Sequence, residues 1–269
     1  MQIKYAILIL FLTSRLGYSY AAEQKVAVGS RFADFIMFDL FEDSFKVGKI
    51  YNENKSHDHE STGLLPNDVK LLRNADLLIV NSSDKSIEKM YHKNIITLWD
   101  GDSGDHFWMD KKNTEESYLR VFNAICSPKN THEICISAKN KIQKIKSMSR
   151  GLKINDSVKI FTSHKFSKDL DILLDSGGAF FSHFGDLNMK IVKKASRYKN
   201  ICILVDKNSD IDKISILSKK LTGNVKFSHI DADGAFFKEK ISGSTNPTPD
   251  SIYSEYYRSL EKSINECFV

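Results

Sequence analysis

Short β-branched runs alternating with amphipathic stretches constrain this chain more than any other feature, because the alternation occurs in two successive sets. In the first set, KVAVGS reads as a strand, RFADFIMFDLF as a helix or long apolar segment, and FKVGKIY as another strand. PNDVKLLRNA follows with Val69, Leu71, Leu72 and Ala75 roughly on one face, then the strand-like DLLIVNS and NIITLWDG, a loop DGDSGDHFWMD, and the helical TEESYLRVFNAIC. HEICISAKNKIQKIKSMS is a lysine-rich amphipathic helix with Ile134, Ala138, Ile142 and Ile145 at helical spacing, and it breaks at Arg150-Gly151. Beyond the break the alternation restarts. SVKIFTSH, GAFFSHFG, NICILVD and VKFSHIDADG read as strands; FSKDLDILLDSG, NMKIVKKASRY, DIDKISILSKKLTG and the closing DSIYSEYYRSLEKSINECF read as helices. Two such sets predict an α/β protein of two lobes, each a mainly parallel sheet flanked by helices. The expected boundaries are a leader at 1–22, an N-terminal lobe at 23–131, a linking helix at 132–150 and a C-terminal lobe at 151–269.

The 269 residues, 41% of them hydrophobic, suffice for two cores of this size. The leader reading rests on Lys4, the apolar run from Tyr5 to Leu12, and small residues at Ser19, Ala21 and Ala22. The run is short of the ~20 apolar residues a bilayer span needs, which favours a cleaved secretory signal over an anchor. Without Lys4 and Arg15 the balance is 37 basic against 34 acidic residues. The lysines are scattered, so the charge gives no support for nucleic-acid binding. In an exported chain the four cysteines favour two disulfides, with the local pair Cys126-Cys135 and the distant pair Cys202-Cys267 as the natural assignment. A zinc-cysteine site is the rival, although no spacing is C-x2-C.

Ligands of open α/β sheets gather at the carboxyl ends of strands. Four polar groups fall there: the loop His57-Asp58-His59-Glu60 after VGKIY, His106 in GDHFWMD, His164 in IFTSH, and Asp231 in HIDADG. Three imidazoles and a carboxylate complete a tetrahedral zinc shell. Each residue alone also has a plainer reading. His57 and His59 suit a solvated loop, His106 beside Phe107 and Trp108 suits a buried structural histidine, and Asp231 suits a cap on the turn at Asp233-Gly234.

Taken in order, these segments resemble the periplasmic metal-binding proteins of ABC importers, the zinc and manganese group. That family carries a histidine before a P-S-D helix start, then D-P-H-x-W-x-D-P, t-s-H-d-a-f and l-D-P-L-G. This chain offers HDHESTGLLPNDVKLLRNADLLIVNSS, GDHFWMD, FTSHKFS and HIDADG across essentially the whole mature sequence. The resemblance implies a metal site of His59, His106, His164 and Asp231. The family spacing of six residues before the proline lands on Glu60, so His57 and Glu60 stand as alternates for the first ligand. Departures are present as well: Gly104-Asp105 replaces the D-P before the second histidine, and Ala232 replaces the proline of D-P-L-G. The resemblance further implies the bridge Cys202-Cys267 and a rigid helix between the lobes.

The function so implied is a periplasmic, monomeric carrier that captures Zn²⁺ in the cleft between lobes and delivers it to an ABC permease in the membrane. Three neutral imidazoles favour zinc, whereas a carboxylate at position 164, as in manganese-type relatives, would favour the harder Mn²⁺. The rivals are a metal-dependent adhesin, a degenerate paralogue outside transport, and a zinc hydrolase with Glu60 or Asp233 as general base. Against an enzyme, the chain has no H-E-x-x-H, no G-x-G-x-x-G or G-x-x-x-x-G-K-[ST], and no G-x-S-x-G.

Overall fold

The computed structural model of the chain describes residues 25–51, 64–81, 87, 90–91, 94–99, 107–126, 132–148, 158–162, 182–183, 196–206, 215–216, 219–231, 234, 236–237, 239–240 and 251–267. The expected leader at 1–22 lies outside the described residues. The chain divides into two compact units, one drawn from 1–100 and 120–138, the other from 101–119 and 139–269.

The first unit holds β1 (Val26–Val28), β2 (Val47–Lys49), β3 (Leu77–Val80) and β4 (Asn94–Thr97), all parallel, in the order β2-β1-β3-β4. Val26 lies opposite both Val47 and Leu77, and Leu77 opposite Asn94. β1 and β3 are buried along their whole length, which is why they read as unbroken apolar runs rather than alternating ones. Helix α1 (Arg31–Phe41) begins where the Ser30 hydroxyl accepts the Ala33 amide at 3.0 Å. Phe32, Phe35, Ile36, Met37 and Leu40 are all buried, so α1 shows apolar residues on every side and its sequence alone leaves helix and long apolar segment equally open.

Helix α2 (Pro66–Asn74) starts with proline at a position whose amide would have no helical partner, and the Asp68 carboxylate reaches back to the Leu65 amide at 2.8 Å. Of the expected apolar face, Leu72 and Ala75 are buried, but Leu71 is 39% exposed. One step of about 100° separates Leu71 from Leu72 and carries it to the rim of the sheet, where its side chain lies over Gly48 of β2.

The second unit repeats the arrangement with β5 (Val158–Thr162), β6 (Ser182–His183), β7 (Asn200–Asp206) and β8 (Asn224–Ile230), again all parallel and in the order β6-β5-β7-β8. Phe161, Ile201, Ile203, Val205 and Leu221 form its core cluster. The strand order of each sheet therefore reverses at an equivalent place, between β1 and β3 and between β5 and β7. That is where such sheets open a crevice at their carboxyl edge.

Helices α3 (Lys111–Ile125) and α4 (Glu133–Ser147) follow β4, and the boundary between units falls within both. In α4, Ala138, Ile142 and Ile145 are buried as the spacing predicts, but Cys135 rather than Ile134 completes the stripe. Cys135 is drawn inward by its disulfide to Cys126, with α-carbons 5.8 Å apart. Closing helix α5 (Ile252–Asn265) buries Ile252, Tyr253, Tyr256, Tyr257, Leu260 and Ile264 on one face. A second disulfide, Cys202–Cys267, ties β7 to the end of this helix across 65 residues of sequence. Both pairings expected from the sequence are thus formed.

Candidate metal centre

At the carboxyl edge of the second sheet, β8 ends at Ile230 and Asp231 follows directly. The segment after it turns on Gly234, whose φ of +75° lies in the left-handed region open to glycine. The Phe237 amide donates to the Gly234 carbonyl at 3.1 Å, and the Phe236 amide donates to Asp231 Oδ2 at 2.5 Å. The turn-capping role considered for Asp231 is therefore real, but its donor is Phe236, five residues on. A carboxylate held in this way has a fixed direction, which is how hydrogen-bond partners outside a metal shell orient a ligand. Asp206, at the end of β7 and 1% exposed, pairs in register with Ile230, the residue before Asp231.

Two tyrosines of α5 hold the backbone at this edge. Tyr256 donates its hydroxyl to the Asp231 carbonyl at 2.9 Å. One turn earlier, Tyr253 donates to the Trp108 carbonyl at 2.9 Å, and Thr114 Oγ1 donates to the same oxygen at 3.0 Å. Burial, reinforced by the Asp231 charge, pushes the Tyr256 phenol well above its ordinary range, and burial does the same for Tyr253. Both are thus neutral donors at physiological pH. The Trp108 carbonyl belongs to a buried 3-10 turn, Phe107–Met109, in a stretch that the sequence reads only as loop. Asp110 ends that turn and starts α3 by accepting the Lys112 amide at 2.8 Å. Burial raises the Asp110 carboxyl, against the lowering effect of hydrogen bonds from the Lys112 and Asn113 amides.

The first sheet's carboxyl edge carries a hydrogen-bonded belt that the sequence reading missed. Ser30 donates to Asn81 Oδ1 at 2.5 Å, which links the ends of β1 and β3. The Trp99 amide donates to the Asn81 carbonyl at 2.8 Å, extending the link to β4. On the other side, Asp34 in the first turn of α1 accepts the Tyr51 hydroxyl at 2.8 Å and pairs with Lys49 at 2.9 Å, which brings in β2. The Asp34 side chain is only 5% exposed, so its charge needs both partners. Ser30, Asn81, Tyr51 and Trp99 are marked in the sequence only by their position just past strand ends, and Asp34 and Lys49 not even by that. A cavity of about 310 Å³ in this unit lies at the opposite edge, between Lys25, Lys46, Leu71 and Asn74, away from the strand ends expected to bind.

Of the expected ligands, Asp231 is described and occupies a carboxyl strand end as anticipated. His59, its alternates His57 and Glu60, His106 and His164 lie outside the described residues, as does Asp233. Among the described residues, no group of three or more His, Cys, Asp and Glu side chains is placed to hold an ion.

No protein-family model matches the chain, and no curated protein matches it in sequence. Solved structures do. The Cd-bound periplasmic metal binding protein from Candidatus Liberibacter asiaticus is similar with a TM-score of 0.59 at 16% identity, over 91% of this chain and 100% of that one. The Mn-bound form of a periplasmic metal binding protein from the same organism gives 0.55 at 16% identity, over 91% and 100%. The metal-dependent lipoprotein YcdH from Bacillus subtilis gives 0.65 at 16% identity, over 89% and 98%. At such identities the likeness establishes a shared fold along nearly the whole length of each chain.

Proposed function

We propose that this protein is a periplasmic metal-binding protein that takes up Zn²⁺ and hands it to an ABC permease, with His59, His106, His164 and Asp231 as ligands and His57 or Glu60 as alternates for the first. The supporting observation is the fold shared end to end with proteins described as periplasmic metal-binding, in Cd-bound and Mn-bound forms. The oriented carboxylate of Asp231, at the carboxyl end of β8, agrees with it. The metal is cargo, and the chain binds rather than catalyses. Three imidazole nitrogens with one carboxylate oxygen suit zinc in a tetrahedral shell and disfavour Mn²⁺, which prefers more oxygen donors. Helix α4 is read as the rigid connector of the two lobes, and the apolar leader as the export signal. Among the described residues no helix is long and apolar enough to cross a membrane.

The test is a titration of chelator-stripped mature protein with Zn²⁺ and Mn²⁺, alongside His106→Ala, His164→Ala and Asp231→Ala. One zinc per chain, tighter than manganese and strongly weakened in each variant, is the expected result. Because protonated imidazole cannot donate to a metal, affinity should fall as pH drops through the histidine range. Unchanged affinity in a variant removes that residue from the site. A wild type that binds neither ion points to a degenerate paralogue.

A further inference from the structure

Tyr253 and Tyr256 stand three residues apart on α5, so their rings project from the same helical face, with centroids 6.0 Å apart. Both are buried, at 0% and 2% exposure. A buried tyrosine must place its hydroxyl on a partner. These two place theirs on main-chain carbonyls of segments remote from α5 and from each other. Tyr253 reaches Trp108, 145 residues away in sequence, and Tyr256 reaches Asp231, 25 residues away. Neither contact is part of the main-chain bonding of α5, of β8 or of the 3-10 turn. What they fix is the distance between the 3-10 turn that starts directly after His106 and the strand end that carries Asp231.

Packing makes the arrangement stiff. Tyr256 lies against Phe237 and Phe236, with centroid distances of 4.8 and 5.8 Å, and Tyr253 lies against Tyr118 at 6.1 Å and Tyr257 at 6.2 Å. Phe236 also supplies the amide that holds Asp231 Oδ2. A movement of Tyr256 is therefore transmitted to the aspartate by two routes, through its own hydrogen bond to the main chain and through the ring of Phe236.

The geometry points to Tyr253 and Tyr256 as positioning residues that act together as a bracket, setting the separation of the Trp108 turn from Asp231 and thereby preorganising the proposed metal site. The inference rests on the ligand roles proposed above for His106 and Asp231. A bracket of this kind works only as a unit, since losing either rung frees the same separation. The loss of one outer-shell partner of a metal ligand typically lowers affinity by about 10–100-fold.

The experiment uses the mature chain with both disulfides intact and compares wild type, Tyr253→Phe, Tyr256→Phe and the double variant. Zinc affinity is measured by chelator competition, thermal midpoint is measured on the zinc-free proteins, and amide exchange at Phe236 is followed by NMR. Each single variant should bind zinc about tenfold or more weakly, the double variant should be little worse than either single one, and Phe236 should exchange faster in Tyr256→Phe. Affinity within twofold of wild type in both single variants, whatever the midpoint does, overturns the bracket and leaves the tyrosines a purely structural role. Losses that multiply in the double variant overturn the claim that the two act as one. If wild type binds no zinc, the proposed function fails, and the bracket is then judged on the zinc-free protein. Unchanged Phe236 exchange in Tyr256→Phe would refute it there.

Discussion

Gly234→Ala probes the turn behind Asp231 with the smallest possible addition, a single methyl group. Two costs follow from the structure. An L-residue at φ +75° sits in the left-handed region, at about 1–2 kcal/mol. The new Cβ would also stand 2.9 Å from Phe237 Cδ2, closer than carbon atoms pack. Phe237 is 1% exposed, so its ring has no open space to move into, and overpacking of this kind costs about 1–3 kcal/mol. The total expected loss is about 2–5 kcal/mol, read by urea unfolding of the zinc-free protein with disulfides intact. Because Phe237 packs 4.8 Å from Tyr256, the displaced ring should also loosen the bond to the Asp231 carbonyl and weaken zinc binding in parallel. The two costs separate in a cycle with Phe237→Leu. The smaller side chain should relieve the steric part and leave the backbone part, giving a coupling of about 1 kcal/mol or more. A loss below about 0.5 kcal/mol for Gly234→Ala, or strict additivity with Phe237→Leu, would refute this view of the turn.

Lys111, 7% exposed, donates to the carbonyls of Lys146 and Met148 at 2.9 and 2.5 Å and so satisfies the end of α4. Lys111→Met keeps the stem and removes the donors, and should cost about 2–3 kcal/mol, or roughly 4–12 °C in thermal midpoint; a midpoint within about 1 °C of wild type would contradict it. Tyr91, 3% exposed and bonded to the Ala75 carbonyl at 3.3 Å, has its phenol pushed up to about 12 by burial and by the Asp76 charge. A raised folded pKa means that this stabilisation is complete below the unfolded value near 10 and is lost as pH rises from there to about 12. Unfolding free energy should fall in that window, and Tyr91→Phe should remove up to ~1.4 kcal/mol per pH unit of the slope; identical alkaline limbs would count against it.

The strand runs were legible because parallel strands covered on both sides need unbroken apolar sequence, and LLIV of β3 and ILV of β7 are of that kind. Strand order was not legible, since nothing in KVAVGS or FKVGKIY says on which side of β1 its neighbours lie. The disulfides followed from the expectation of an exported chain and from the spacing of the cysteines. α1 stayed ambiguous because it is buried almost all round, and the face assigned to α2 was too wide by Leu71. The position of Asp231 directly after a strand was legible. The tyrosine bracket was not, because both hydroxyls bind main-chain carbonyls, which carry no side-chain signature, and one partner is 145 residues away. The belt of Ser30, Asn81, Asp34, Tyr51 and Lys49 escaped notice for a related reason. Each residue looks like an ordinary polar one until the strand order brings it beside its partner.

The most direct measurement is an anomalous-scattering map from crystals of the mature protein grown with zinc, recorded on both sides of the zinc absorption edge. The expected result is one strong peak about 2.0–2.2 Å from an Asp231 carboxylate oxygen and from imidazole nitrogens of His106, His164 and His59, with His57 or Glu60 as the substitute for the last. A zinc peak elsewhere, with the Asp231 carboxylate bonded only to protein groups, would contradict the account.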